Sequence, residues 1–252
     1  NVVTQCEQRV LTIEMRRPEK KNALSVEMYA AMAEAIAFAK TAGEVRVVFL
    51  RGQPDCFTAG NDITDFADNP LSDEGPVNSV IKHLVDFEKP IVAAVGGAAI
   101  GIGTTMLLHC DLVFAATNAK FALPFVNLGV CPEAGSSLLL SRIAGEKRAA
   151  KLMLLGDVFS AEVARECGIV SEVCSPDELM QQAYDAATTL ATKPARALRE
   201  TKALIRGDLS AIHARVEREN VIFGELLNSP AAQEAMNAFL ERRKPDFSSF
   251  DD

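Results

Sequence analysis

Twenty consecutive residues without a charge, Ile91 to Cys110, constrain this chain more than anything else in its sequence. A run of that length can cross a bilayer as a helix. This one carries Gly96, Gly97, Gly101 and Gly103, with Thr104, Thr105 and His109 among the residues behind them. Glycines at that density break a helix, and the β-branched start at Ile91 favours a strand. The run therefore reads as strand, glycine-rich turn and helix, buried inside a water-soluble protein with no membrane partner. Such a unit needs a large core around it. A chain of 252 residues, 48% hydrophobic and 24% charged, can supply one, as one large domain or a domain with an appendage.

The flanking pattern fits that reading. Val10 to Met15 alternates, with Leu11, Ile13 and Met15 on one face of a strand. Ser25 is placed to cap a helix running to about Lys40, with Met28, Met32, Ala35, Ile36 and Ala39 as its apolar stripe. Val45 to Leu50, Ile91 to Val95 and Asp111 to Ala115 read as buried strands, Gly97 to Gly103 as a turn, and Thr104 to His109 as the opening of a helix. Further helices are predicted over Val80 to Phe87, Ser136 to Ile143, Glu146 to Leu155 and from Ser229-Pro230 to about Arg243. Ser175-Pro176-Asp177-Glu178 has the spacing of a capping box. Strands crowd the first half and helices the last hundred residues, which makes the fold class α/β with a C-terminal helical region.

Several functions are excluded. Against 34 acidic residues stand 26 basic ones, a net charge of −8, and there is no Trp and only Tyr29 and Tyr184 to stack on bases. No nucleic-acid partner is expected. The six cysteines form no C-x-x-C pair, so no metal site is expected, and their scatter suits buried thiols in a reducing compartment. The first ten residues have no basic region leading an apolar core, and FSSFDD is not a targeting tripeptide. A bacterial cytoplasmic protein is expected. Positions 33 and 188 hold Ala and Thr, so no Tyr–Lys dehydrogenase pair forms, and Gly101-Ile102-Gly103 is followed by Met106, which breaks the dinucleotide fingerprint. No nucleophile elbow surrounds Ser136-Ser137. His83, His109 and His213 lack a Ser or Cys partner in sequence, and His109 reads as a core histidine with its ring paired.

Three segments remain. Phe57-Thr58-Ala59-Gly60-Asn61-Asp62-Ile63 and Gly97-Ala98-Ala99-Ile100-Gly101-Ile102-Gly103 can each be a tight turn, or can each aim a backbone N–H into a pocket. Two such donors converging on one oxygen make an oxyanion hole. In Val126 to Ser137, Glu133 is a single carboxylate among apolar and small residues just before a helix. It is either a charge placed for the helix dipole or a desolvated base suited to moving a proton near neutral pH.

In this order, together with Arg17-Pro18-Glu19-Lys20-Lys21-Asn22-Ala23-Leu24-Ser25 and Ala238 to Phe247, these segments resemble the crotonase superfamily of enoyl-CoA hydratases and isomerases over nearly the whole chain. The resemblance implies a crotonase-like spiral of β-β-α units over residues 1–195 and a C-terminal helical trimerisation region over 196–252, assembled as a homotrimer or hexamer. It implies that the N–H groups of Asn61 and Ile102 are the oxyanion donors. It also places Thr105 and Phe125 where hydratases of the family carry their two glutamates, and Glu133 where Δ3,Δ2-enoyl-CoA isomerases carry their base. The implied activity is a shift of a 3-enoyl-CoA double bond to the 2-trans position. The alternatives are hydration, thioester hydrolysis, or acyl-CoA binding without turnover. Coenzyme A would enter as part of the substrate, with no separate cofactor. Its groove would be lined by Arg17, Lys20, Ala23, Leu24, Ala59, Gly60, Asn61, Asp62, Ile63, Gly101, Phe125, Leu128 and Lys244. Two basic runs, Arg16 to Lys21 and Arg242 to Lys244, could meet its phosphates.

Overall fold

The computed structural model describes residues 1–62, 64–65, 75–241 and 243–250; Ile63 and Arg242 lie outside the described residues. Among the described residues ten strands form two sheets. β1 (Val2–Glu7), β2 (Val10–Met15), β3 (Val47–Arg51), β5 (Ile91–Val95), β7 (Leu112–Ala116) and β10 (Glu172–Cys174) make a six-stranded sheet in the order β1-β2-β3-β5-β7-β10. β4 (Cys56–Thr58), β6 (Ala98–Ile100), β8 (Lys120–Ala122) and β9 (Phe159–Ser160) make a four-stranded one in chain order. From β3 to β8 the chain lays strands alternately in the large and the small sheet. Helices follow the first two pairs: α1 (Val26–Thr41) precedes β3, α2 (Pro76–Val85) follows β4, and α3 (Ile102–Thr105) follows β6. This is the β-β-α spiral that the sequence resemblance implies.

The uncharged run holds one turn of that spiral. β5, Gly96-Gly97, β6 and α3 follow one another without a break. Gly97 has φ +60°, and a Cβ there would lie 1.7 Å from the Asp55 carbonyl oxygen; one on Gly96 would lie 2.1 Å from that of Pro54. The corner between β5 and β6 thus packs directly on the corner between β3 and β4, and only residues without a side chain allow that approach. The sequence predicts a turn over Gly97–Gly103; the structure inserts strand β6 there and starts the helix at Ile102 rather than Thr104.

The inner strands of the large sheet are buried on both faces, which is why β3, β5 and β7 read as apolar runs. Leu11, Ile13, Met15, Val48 and Leu50 join a core with α1 and α2 on one side. Val10, Val47, Phe49, Val92 and Ala94 face the helix Leu179–Thr192 on the other, which presents Leu179, Ala183, Ala187 and Ala191. The helices α4 (Ser136–Ala144), α5 (Glu146–Leu155), α6 (Ala161–Glu166), α7 (Leu179–Thr192), α8 (Ala195–Arg206), α9 (Ser210–Leu227) and α10 (Pro230–Leu240) complete the chain.

Local signals fared unevenly. Ser25 caps α1 and Ser229 caps α10, each hydroxyl accepting an N–H three residues on. The helix predicted from Val80 instead starts at Pro76 behind Gly75. The supposed capping box at Ser175 is not one: α7 begins at Leu179, and the Ser175 hydroxyl bonds the Glu178 carboxylate at 2.6 Å rather than a backbone N–H. No helix among the described residues is long and apolar enough to cross a membrane.

Candidate active site

Three adjacent parallel strands bring the three candidate segments together. β4 pairs with β6 through Cys56↔Ala98 and Thr58↔Ala99, and β6 with β8 through Ala99↔Phe121 and Ile100↔Ala122. Because all three run the same way, the chain leaves them at one end of the small sheet, where parallel sheets expose their loops. Residues 59–62 follow β4, Gly101 and α3 follow β6, and the segment leading to Glu133 follows β8.

The two loops carry N–H groups left over by the fold. Asn61 pairs with Leu24 in a parallel bridge whose bonds are Leu24 N–H to Gly60 O, 2.8 Å, and Asp62 N–H to Leu24 O, 2.9 Å. In that geometry the N–H of Asn61 itself points to the opposite side. Ile102 is the first residue of α3, after Gly101 at φ +55°, so its N–H has no acceptor within the helix. Gly101 N–H is anchored on Ala122 O at 3.0 Å, which fixes this loop to β8.

Glu133 is buried, with Thr105 Oγ1 donating to its Oε1 at 2.7 Å. Thr105 lies on α3, one turn beyond Ile102, so the carboxylate is tied to the helix whose first N–H is free. Burial pushes the Glu133 carboxyl up to about 7; the Thr105 hydrogen bond opposes this and the charge of Glu219 adds to it. The helix-dipole explanation of Glu133 does not hold. The carboxylate at the N-terminus of α4 is Glu219, which accepts from Gly135 N at 2.6 Å, Ser137 N at 3.0 Å and the Ser137 hydroxyl.

Two further residues belong to this cluster, and nothing in the sequence points to them. Tyr29, on α1 and fully buried, donates its hydroxyl to Asn61 Oδ1. Burial, and then the charge of Glu133, raise its phenol well above the ordinary value, so the ring stands within electrostatic reach of the carboxylate. The other is Glu219. His109 meets the residue that follows Glu133. Its Nε2 is 2.8 Å from Ala134 O, which can only accept, so the proton sits on Nε2. The other ring nitrogen, Nδ1, has no partner among the described residues, so the expected fully paired core histidine is only half paired. Burial drives His109 down to about 4.

The structure distributes the remaining candidates unevenly. Arg17 is engaged internally, donating to Asp62 at 2.8 Å and to Ala23 O at 2.9 Å, and thereby clamps the first loop to the segment before α1. Burial opposes ionisation of Asp62, but hydrogen bonds from Thr64 and Arg17 hold its carboxyl below the ordinary value. In the basic runs Arg16 pairs with Glu14, and Arg243 with Glu234 and Glu241. Lys20, Lys21 and Lys244 are exposed. Leu24, Gly60 and Phe125 are buried, and Ala59, Gly101 and Leu128 half-buried. Ile63 and Arg242 lie outside the described residues. Among the described residues no cluster of His, Cys, Asp or Glu could hold a metal ion. A carboxylate near neutrality, at the same end of the small sheet as two N–H groups without an acceptor among the described residues, can move a proton next to a carbonyl whose oxygen those groups hold.

The family model described as enoyl-CoA hydratase/isomerase matches residues 5–250. The chain is 33% identical over 256 residues to 1,2-epoxyphenylacetyl-CoA isomerase of Escherichia coli K12, covering 98% of each protein. It is 33% identical over 246 residues to 2,3-dehydroadipyl-CoA hydratase of the same strain, covering 96% of each. Among solved structures, an enoyl-CoA hydratase/isomerase from Pseudoalteromonas atlantica superposes with a TM-score of 0.93 at 40% identity, over 98% of this chain and 99% of that one.

Proposed function

Because the chain belongs to the enoyl-CoA hydratase/isomerase family, the crotonase superfamily, we propose that it moves the double bond of a 3-enoyl-CoA to the 2-trans position. The thioester oxygen accepts hydrogen bonds from the N–H groups of Asn61 and Ile102. Glu133 removes a proton from C2, the electrons pass to the thioester oxygen, and the donors stabilise the resulting dienolate. Glu133 then returns the proton at C4 as the C2–C3 double bond forms. One carboxylate suffices because no water is activated.

The observation that carries this reading is the setting of Glu133, with Thr105 and Phe125 in place of the hydratase acids. Its carboxyl, near 7, is both a competent base and a competent acid at neutral pH. Thr105 supplies a hydroxyl to it, and Phe125 a buried ring; neither manages an attacking water as a carboxylate does. The test is a paired assay on 3-enoyl-CoA and 2-enoyl-CoA. Isomerisation of the first, lowered about a hundredfold or more in Glu133→Gln, is expected. Rapid hydration of the second would replace this reading with a hydratase, and tight binding of both without turnover would replace it with a non-catalytic acyl-CoA-binding subunit. Assembly as a homotrimer or hexamer belongs to the same proposal. It draws support from Leu204 and Ile205 on α8, exposed at 83% and 80% in the single chain, and light scattering in solution checks it. A cytoplasmic setting is likewise proposed, in keeping with the bacterial relatives.

A further inference from the structure

Glu219 is the second buried carboxylate of the site, and it reaches it from the C-terminal helical region. It lies on α9 with its side chain under the N-terminus of α4. The turn it meets is unusual: Ala134 and Gly135, directly after Glu133, both have left-handed backbones, at φ +61° and +70°. A Cβ on Gly135 would touch Ile212 and Val216 of α9 at 3.3 Å. The turn and the helix are therefore in close packing, and Gly135 N–H, Ser137 N–H and the Ser137 hydroxyl all converge on the Glu219 carboxylate. Arg215, one turn earlier on α9, donates to the same Ser137 hydroxyl at 2.9 Å. Cys131 Sγ, two residues before Glu133, contacts the Glu219 carbonyl oxygen at 3.6 Å.

We propose that Glu219 is a positioning residue for Glu133: it holds the turn that carries the proton-transfer carboxylate and stands as a fixed anion behind it. The two carboxylates are unequally served. Glu219 has three donors, a helix N-terminus and Arg215 nearby; Glu133 has one, the Thr105 hydroxyl. Burial raises the Glu219 carboxyl as it raises that of Glu133, but the bonds from Ser137 and Gly135 and the charge of Arg215 oppose the rise; better served by donors, Glu219 ionises first and its charge makes the ionisation of Glu133 harder. Two carboxyl groups pushed apart in this way divide the roles of fixed charge and mobile proton. The other groups facing Glu133 do not supply that charge. Tyr29 and Cys131 are held protonated, by burial above all, and His109, bonded to the next residue's carbonyl, is neutral because it is buried. The inference rests on the reading of Glu133 as the base, but its test separates the two.

The experiment combines rate and direct titration. In Glu219→Gln the acid limb of kcat should move down by roughly half to one pH unit, because the like charge is gone. In Glu219→Asp, which keeps the charge and shortens the reach, the limb should stay near its wild-type position while kcat falls. An unmoved limb in Glu219→Gln overturns the proposal. Carbon-13 NMR of the glutamate carboxyls, assigned with Glu133→Gln, reads the same pair without turnover. In the wild-type protein Glu219 should titrate below Glu133, and the reverse order overturns the proposal even if a variant fails to fold. Failure of the isomerase reading shows separately, as a wild-type protein that leaves 3-enoyl-CoA unchanged.

Discussion

Tyr29 and Thr105 show how single hydrogen bonds tune the site. A buried phenol needs an acceptor, and Tyr29 finds Asn61 Oδ1. Tyr29→Phe leaves that oxygen without its donor and frees the side chain of the residue whose N–H is the proposed oxyanion donor. A net loss of about 0.5–1.5 kcal/mol is expected, or a fall of about two- to twelvefold in kcat/KM, carried mainly by kcat. Steady-state kinetics check it; an unchanged kcat would remove Tyr29 from the site. Thr105 acts on the proton itself. Its hydroxyl donates to the charged form of Glu133, so Thr105→Val should raise the Glu133 carboxyl further above about 7. Since the base form is the deprotonated one, the acid limb of kcat should move to higher pH, opposite in sign to the change expected in Glu219→Gln. Glu133 and Asn61 could be found from local motifs. Tyr29 could not, because its partner lies 32 residues away and its own neighbourhood reads as an ordinary apolar helix.

At the scale of elements, the strands that build the site are the ones the sequence hides. β3, β5 and β7 are unbroken apolar runs and could be read directly. β4, β6 and β8 are three residues each, too short to show any period, yet their pairing is what aligns the three segments. Helix starts at Ser25 and Ser229 were legible because a cap is local, whereas the carboxylate on α4 comes from Glu219, more than 80 residues on in the chain. The fit between α3 and β4 is close enough to test. A Cβ on Gly103 would lie 2.5 Å from Thr58 Cγ2. Thr58 is pinned, donating to Asn22 O at 2.6 Å and accepting from Gly60 N at 3.1 Å. Gly103→Ala should therefore displace Thr58 and, with it, the first loop. A loss of about 1–3 kcal/mol in urea unfolding is expected, together with reduced turnover. Wild-type stability would show that the two elements can part without cost.

For the whole molecule, the net charge of −8 conceals how the basic residues are used. Arg16, Arg17 and Arg243 hold carboxylates of the chain itself, leaving exposed lysines to meet a polyanion. Buried titrating groups make the stability of the whole depend on pH, and two of them oppose each other. Glu133 has an ordinary value of 4.5 and lies at about 7 in the fold. Between those limits the folded chain holds a proton that the unfolded chain has lost, so stability falls as pH rises. His109 has an ordinary value of 6.5 and lies at about 4 in the fold. Between those limits the unfolded chain holds the extra proton, so stability rises with pH. Each separation of about two and a half pH units corresponds to roughly 3 kcal/mol. From about pH 4.5 to 6.5 the two contributions nearly cancel, and removing one should expose the other. Urea unfolding of Glu133→Gln should therefore gain roughly 3 kcal/mol in stability from pH 4 to 6.5 relative to the flatter wild-type profile. Because every other titrating group is common to both proteins, the difference between the two curves isolates Glu133. Wild type should lose ground to the variant as pH rises from 4.5 to 7, and parallel curves would mean that Glu133 is already ionised at acid pH and cannot carry a proton from C2 to C4.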